Sequence, residues 1–457
     1  MLTSYPAALA GTPRPAITLP RSLTWLAALA YSAGLLTAAL LSGSPKALAA
    51  TAFLVGLTAV FVVRPLWGVV SVLLVHQSAD LWADGQFDSL AGLKLNLTTG
   101  ITLMIVVVGG AYVVENWRSA RRAPSLWPFI ALTALAIVSL VNTPSVTLGV
   151  TDVMRLAQIG VLYALVYSLV RSRRDIELIV AALLISVLGV IGVAIEQTIN
   201  AERSSLGMFQ FDRATGGFPG PDALGIVLGV LLCFAIPFAL GTRLVWRWLL
   251  VAWIAVAGVA LVGSYTRTGW LTLIVGLLVI GVVRYRILLI LIPVTLAVVV
   301  LAVPSTVQRF NDLNQDPAHE GHYGNTFSQR LSLWRTNLPK VNQSPVIGHG
   351  FASIGEQEGS LTHSDYVRTV VETGILGLLA FLALLASGVG GAIGAVRRTN
   401  RLSDDRVLLA TAVGGLGVAV VYVLASADSN LLTKTVLNGA VWTLVALAHS
   451  TSRLAAE

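Results

Sequence analysis

Long stretches without a single charge set the limits for this chain. Leu23–Leu41, Leu97–Val114, Leu178–Ile195, Ile287–Val303 and Gly374–Val396 are uncharged and mainly apolar. Blocks of about 17–25 such residues are long enough to cross a bilayer as helices. In lipid the backbone must satisfy its own hydrogen bonds, which favours the helix. A membrane β-barrel needs short alternating segments instead, and the sequence has none. Composition agrees: 11% of the 457 residues are charged and 56% are hydrophobic, against roughly 25% charged in soluble proteins. Too few polar side chains remain to coat a water-facing surface.

About 14 hydrophobic spans follow one another between residues 23 and 449, so the expected fold is an all-α polytopic bundle of about 12–14 transmembrane helices. Lys and Arg in short loops predict which side each loop faces. One alternate set of loops holds Arg14 and Arg21, Arg64, Arg118, Arg121 and Arg122, Arg171, Arg173 and Arg174, and Arg243 and Arg247. The same set continues with Arg284 and Arg286, Arg397, Arg398, Arg401 and Arg406, and ends with Arg453. This pattern predicts both termini in the cytoplasm. The stretch before Leu23 lacks a short apolar core with a cleavage site, so the first span is expected to direct insertion itself. The other set of loops includes the two longest, near 198–221 and 304–368. Loops of that length are usually functional or disordered. The expected organisation is therefore a bundle over 1–303, an extracytoplasmic lobe over 304–368 and the rest of the bundle over 369–457. Within the lobe, Leu331, Trp334 and Leu338 have helical spacing and predict a helix over 328–338.

The net charge of +8 does not indicate nucleic acid, because most basic residues sit beside helix ends and report topology. Cys233 is the sole cysteine, so no intrachain disulfide and no thiolate metal site are expected. His319 and His322 flank Glu320, but two histidines in a glycine-containing polar loop do not make a metal site, and none is expected.

Arginines on the outer side run against the topology rule and are costly at a membrane boundary unless paired. Arg155, Arg213, Arg267 and Arg330 are of this kind. Each either snorkels to lipid phosphate or grips an anion, since guanidinium is always charged and binds phosphate oxygens bidentately. Arg267 is the most telling, because it occupies a very short turn between two apolar helices. His363, in Thr-His-Ser-Asp-Tyr, stands where a proton could be exchanged near neutral pH. His349, between two glycines, fits a turn residue, and His76 and His449 fall in or at the end of spans. Two turn-rich stretches, Thr215–Pro221 and Ser344–Phe351, position loops beside these arginines or serve as plain connectors.

The order of motifs carries more than any one of them. Gln329-Arg-Leu-Ser-Leu-Trp334, Ser344-Pro-Val-Ile-Gly-His-Gly350, Thr362-His-Ser-Asp-Tyr366 and Val371-Glu-Thr-Gly-Ile-Leu-Gly-Leu378 follow in sequence. Upstream stand Arg213-Ala-Thr-Gly-Gly-Phe-Pro-Gly-Pro-Asp222 and Ser264-Tyr-Thr-Arg267. Together, over about 211–379, they resemble the O-antigen ligase and polysaccharide polymerase family of membrane glycosyltransferases. The resemblance implies a GT-C-like fold and a polyprenyl-diphosphate-linked saccharide donor, with a lipid or glycan acceptor, at the outer face of the cytoplasmic membrane. It implies transfer without a metal or other cofactor. It carries the family's histidine over to His363 and its pyrophosphate-binding arginines to Arg213 and Arg267, with Arg330 also on a motif. One departure stands out. Many members have Asn after the histidine, whereas Ser364 and Asp365 follow here. An acidic neighbour at that place either orients the imidazole or is solvated.

The residue chemistry suits that implication. Charge builds on the bridging oxygen as a glycosyl diphosphate departs, and fixed guanidinium groups can stabilise it. A neutral His363 can take the acceptor proton in line, which predicts inversion. Nearby arginines would favour the neutral form. A ligase and a polymerase share this donor chemistry and differ only in acceptor. A transporter or flippase is the alternative from another class, and it would more often show inverted repeats and charges at the membrane midplane.

Overall fold

The computed structural model describes residues 22–42, 44–76, 97–200, 213–242, 244–303, 306–307, 326–354, 362–432 and 434–457. The His319–Glu320–His322 cluster, Arg14 and Arg21 lie outside them. The first helices are α1 (Ser22–Ser42), α2 (Pro45–Val63), α3 (Pro65–His76), α4 (Leu97–Glu115), α5 (Leu126–Asn142), α6 (Val146–Leu169) and α7 (Arg173–Asn200). Then come α8 (Pro221–Gly241), α9 (Leu244–Gly263), α10 (Arg267–Val283), α11 (Ile287–Ala302), α12 (Thr326–Asn337), α13 (Asp365–Leu402), α14 (Arg406–Asp428) and α15 (Thr435–Leu454). Nine helices among the described residues are long and apolar enough to cross a membrane, and four shorter apolar ones accompany them. The protein is an all-α, multi-pass membrane protein.

The helices sort by environment. α8, α14 and α15 are buried along almost their whole length. α9 and α11 instead turn Val245, Trp246, Trp248, Leu249, Ile290, Val298 and Leu301 outward, as lipid-facing helices do. Lipid offers no hydrophobic drive for helix association, so close packing and interhelical hydrogen bonds must supply it. Both are present. A Cβ added at Gly269 would lie 2.6 Å from the Gly225 backbone, so α8 and α10 touch main chain to main chain. Tyr422 Oη donates to Asn438 Oδ1 at 2.6 Å, tying α14 to α15. The Tyr163 hydroxyl and His449 Nδ1, 2.7 Å apart, tie α6 to α15.

Contacts also separate the loops into two ends. At one, Arg173 Nη1 lies 3.4 Å from Asp405 Oδ1. Arg453 donates to the Tyr167 carbonyl at 3.0 Å, and Arg247 to the Thr242 carbonyl at 3.2 Å. These belong to the arginine-rich loop set. The motif-bearing segments gather at the other end. Each expected span contains a helix among the described residues, and the one expected from about residue 154 already begins at Val146. The span expected to begin near residue 369 starts at Asp365 and runs to Leu402, with non-helical backbone at Gly374. The C-terminal extension carries Arg397, Arg398 and Arg401, whose long side chains let a helix run past the apolar layer.

α12 starts at Thr326, two residues before the expected helix, and is followed by a 3-10 turn over Leu338–Gln343. Trp334 and Val341 pack on a small satellite core of Ile354, Val367 and Val371. Leu338 is 45% exposed, because the chain leaves the helix at that point and turns it away. Phe351 joins the main core instead.

A candidate anion site with a histidine at one end of the bundle

α13 is broken near its start. Gly374 has φ 72° and ψ −172°, a conformation that is essentially restricted to glycine. The break frees main-chain groups, and the Ser344–Phe351 segment takes them up. His349 N donates to the Val371 carbonyl at 2.9 Å, Gly350 N to the Glu372 carbonyl at 3.0 Å, and Ile375 N to the Pro345 carbonyl at 2.8 Å. The segment is therefore not a plain connector, because it fills the break in the helix. Its histidine is structural: His349 Nε2 lies 2.8 Å from the Lys340 carbonyl.

The nine residues before Gly374 bear the site's ionic support. Arg368 is 3% exposed and Glu372 fully buried. Arg368 Nε donates to Glu372 Oε2 at 3.0 Å and its Nη2 to Asp152 Oδ2 at 2.9 Å. Asp152 Oδ1 also accepts from Arg155 at 2.8 Å. Arg155 thus has a protein partner, although its side chain is 43% exposed. The Arg368 guanidinium lies 5.5 Å from the Phe351 ring centroid. Each buried charge faces an opposite one, the condition under which burial is tolerated.

His363 precedes α13 in the left-handed region, with φ 50°, uncommon outside glycine although histidine is enriched there. The turn is held from both sides. Asn430 Oδ1 accepts from Ser364 N at 2.8 Å and from Thr362 Oγ1 at 3.1 Å. Trp334 Nε1 donates to the Thr362 carbonyl at 2.8 Å. Asp365, fully buried, accepts from Leu431 N at 2.9 Å and Leu432 N at 3.2 Å. Asp365 is thus not solvated, and its carboxylate is spent on the α14–α15 turn.

The arginines divide. Arg213 is 3% exposed. Its Nε donates to the Ser264 carbonyl at 3.1 Å, and its Nη2 to Thr266 Oγ1 at 3.1 Å and Asp222 Oδ1 at 2.9 Å. It braces the 264–266 turn against the start of α8. Arg267 is half-buried and opens α10. Arg330 pairs with Asp428 at the end of α14, and Asp428 Oδ2 accepts from Thr268 Oγ1 at 2.5 Å. One carboxylate therefore joins α10, α12 and α14. The charges of Arg330, Asp222 and Lys434 all act on His363. Burial lowers the proton affinity of His363, and the Arg330 and Lys434 charges lower it further against the opposing pull of Asp222. The imidazole is thereby kept neutral around neutral pH.

Asp222, Asp428, Asn430 and Lys434 were not singled out by sequence. Lys434 could have been: it is a cation next to an apolar span on the expected outer side, as anomalous as the arginines.

The architecture defines a multi-pass helical membrane protein with a cation-rich, histidine-bearing site at one end. Residues 249–382 match the family model described as O-antigen ligase. The match includes Arg267, Arg330 and His363, while Arg213 and Lys434 lie outside it. No curated protein matches the chain.

Proposed function

We propose that the protein is a membrane glycosyltransferase that moves a glycan from a polyprenyl-diphosphate-linked donor to an acceptor hydroxyl. The observation that carries this is His363, fixed in a braced turn where burial and the charges of Arg330 and Lys434 favour its neutral form against the pull of Asp222. We assign the site end to the outer face of the cytoplasmic membrane and the Arg173–Arg453 end, with both termini, to the cytoplasm. The loop charges support that orientation.

In the proposed reaction the acceptor hydroxyl gives its proton to the neutral imidazole as its oxygen attacks the anomeric carbon. The bond from that carbon to the diphosphate oxygen breaks, and its electron pair leaves with the diphosphate. Attack opposite the leaving group inverts the anomeric centre. Arg267 and Arg330 stabilise the charge developing on the diphosphate, in place of a metal. Arg213, buried and engaged by protein acceptors, contributes its field and the placement of the 264–266 turn. The acceptor, a second lipid or another glycan chain, decides between ligase and polymerase.

Purified protein in lipid nanodiscs, given a lipid-linked oligosaccharide and a core-lipid acceptor, tests the proposal. A single transfer onto the acceptor supports a ligase, and a ladder on the carrier supports a polymerase. Absence of any product with either acceptor, alongside movement of the donor between leaflets, would contradict an enzyme and favour a transporter.

A further inference from the structure

The cations at the site end are mostly committed to protein partners. Arg213 is held by Asp222, Thr266 and the Ser264 carbonyl, Arg330 by Asp428, and Arg368 by Asp152 and Glu372. Lys434 differs. It is half-buried, and among the described residues its ammonium has no hydrogen-bond or ion-pair partner. Its charge nevertheless acts on both His363 and Asp222. A cation partly withdrawn from water and left without a contacting carboxylate is poised for an anion that arrives from outside.

The backbone around it is fixed. Lys434 N donates to the Leu431 carbonyl at 2.7 Å, and the Lys434 carbonyl accepts from Asn438 N at 3.0 Å. The same turn is bound to the His363 turn through Asp365 and Asn430. The two turns are therefore tied together, which places Lys434 on the segment that braces the His363 turn. Asn430, on the same turn, has an unused donor. It is 5% exposed, its Oδ1 is fixed as the acceptor by the Ser364 N–H, and its Nδ2 is buried with no acceptor among the described residues.

We propose that Lys434 is an anion-contacting residue of the site, gripping the phosphate oxygens of the lipid-linked donor's diphosphate. This rests on the glycosyl-transfer reading above. The same chemistry would take a phosphate from a bilayer headgroup, and the two sources are separable. Lys434 supplies the contact, so the donor lies against the α14–α15 turn as well as against α10 and α12.

The test uses the full chain in phosphatidylcholine nanodiscs, with undecaprenyl diphosphate and undecaprenyl monophosphate as probes. Wild type, K434Q, K434A and K434R are compared for binding, and for donor KM and the pH dependence of transfer. Wild type binds the diphosphate more tightly than the monophosphate. K434Q and K434A weaken diphosphate binding on the order of tenfold or more, as loss of a charge-assisted hydrogen bond does, and raise donor KM accordingly. Both also move the acid limb of the rate profile to higher pH, because a positive charge beside the imidazole is gone. K434R restores binding and the limb, which a lysine with a merely structural role would not require. Wild-type diphosphate affinity in K434Q, with transfer intact in the parent, overturns the Lys434 assignment alone. Equal loss for phosphatidylglycerol-containing nanodiscs and for the diphosphate assigns the lysine to headgroups and overturns the donor contact. A parent protein that neither binds the diphosphate nor transfers overturns the glycosyl-transfer reading itself. Reactivity of the buried Cys233 thiol during heating shows whether each variant is folded. If K434A unfolds, the K434Q and K434R pair decides.

Discussion

At the scale of single residues, the account turns on a histidine that is neutral and held. His363 sits among two cations and one carboxylate, and its turn is braced by Asn430 and Trp334. In the proposed role of general base, it would contribute on the order of 10²–10⁴ to the rate. His363→Gln therefore lowers kcat by about that factor while the heat-induced exposure of Cys233 is unchanged. Arg267→Ala lowers turnover on the order of a hundredfold or more, read on a purified lipid-linked donor. Full activity of that variant would remove Arg267 from the diphosphate site. The pH dependence has a definite sign. A base is lost as pH falls and the imidazole protonates. With its proton affinity lowered by burial and by Arg330, the acid limb lies below the ordinary imidazole value of about 6.5. Arg330→Gln removes one depressing charge and moves the limb upward. A limb unmoved by that substitution would dissociate Arg330 from His363. Sequence alone singled out the arginines because cations are out of place in an outer loop, and His363 because an imidazole exchanges protons near neutral pH. It did not reach Asp365's task, since whether a carboxylate is solvated or spent on main-chain donors 66 residues away depends on which turns meet.

At the scale of elements, the broken start of α13 is the part that carries strain and support together. The Ser-Pro-Val-Ile-Gly-His-Gly run and the Val-Glu-Thr-Gly run are two halves of one device, joined by main-chain hydrogen bonds across the Gly374 break. A Cβ at Gly374 would lie 2.2 Å from the Val346 carbonyl oxygen. Gly374→Ala thus incurs a backbone penalty of about 1–3 kcal/mol in addition to that clash. Melting of the variant, followed through Cys233, falls well below the parent's. An unchanged melting temperature would mean that the break is not required. Breaking the buried pair acts similarly: Arg368→Met leaves Glu372 uncompensated and costs about 3–5 kcal/mol. The double change Arg368→Met with Glu372→Leu recovers much of it, and failure to recover would assign Arg368 more than a pairing role. The motifs were visible in sequence as turns. Their pairing was not, because a glycine-rich run gives no periodicity that would show it invading a helix.

At the scale of the whole molecule, the succession of apolar helices is the feature the sequence disclosed most completely. Charge-free blocks marked the helices, and arginines marked one end. The contacts of Arg173, Arg247 and Arg453 gather that end together. Which helices lie innermost was less legible. α8, α9 and α11 are all strongly apolar, yet α8 is central and the other two face lipid. Small residues at Gly225 and Gly269 decide this, by allowing α8 and α10 to touch, and their partners lie far apart in the chain. That contact also brings Arg213 and Asp222 to the Arg267 turn, so the packing of the bundle and the assembly of the site are one event.

The central claim is that the donor's diphosphate lies at the end of the bundle that holds His363. The most direct measurement is an electron cryo-microscopy map of the protein in nanodiscs with a non-transferable polyprenyl phosphonophosphate sugar. The account predicts phosphate density in contact with Arg267, Arg330 or Lys434 and the anomeric carbon beside the His363 ring. Head-group density at the opposite end, against Arg173 and Arg453, would contradict it.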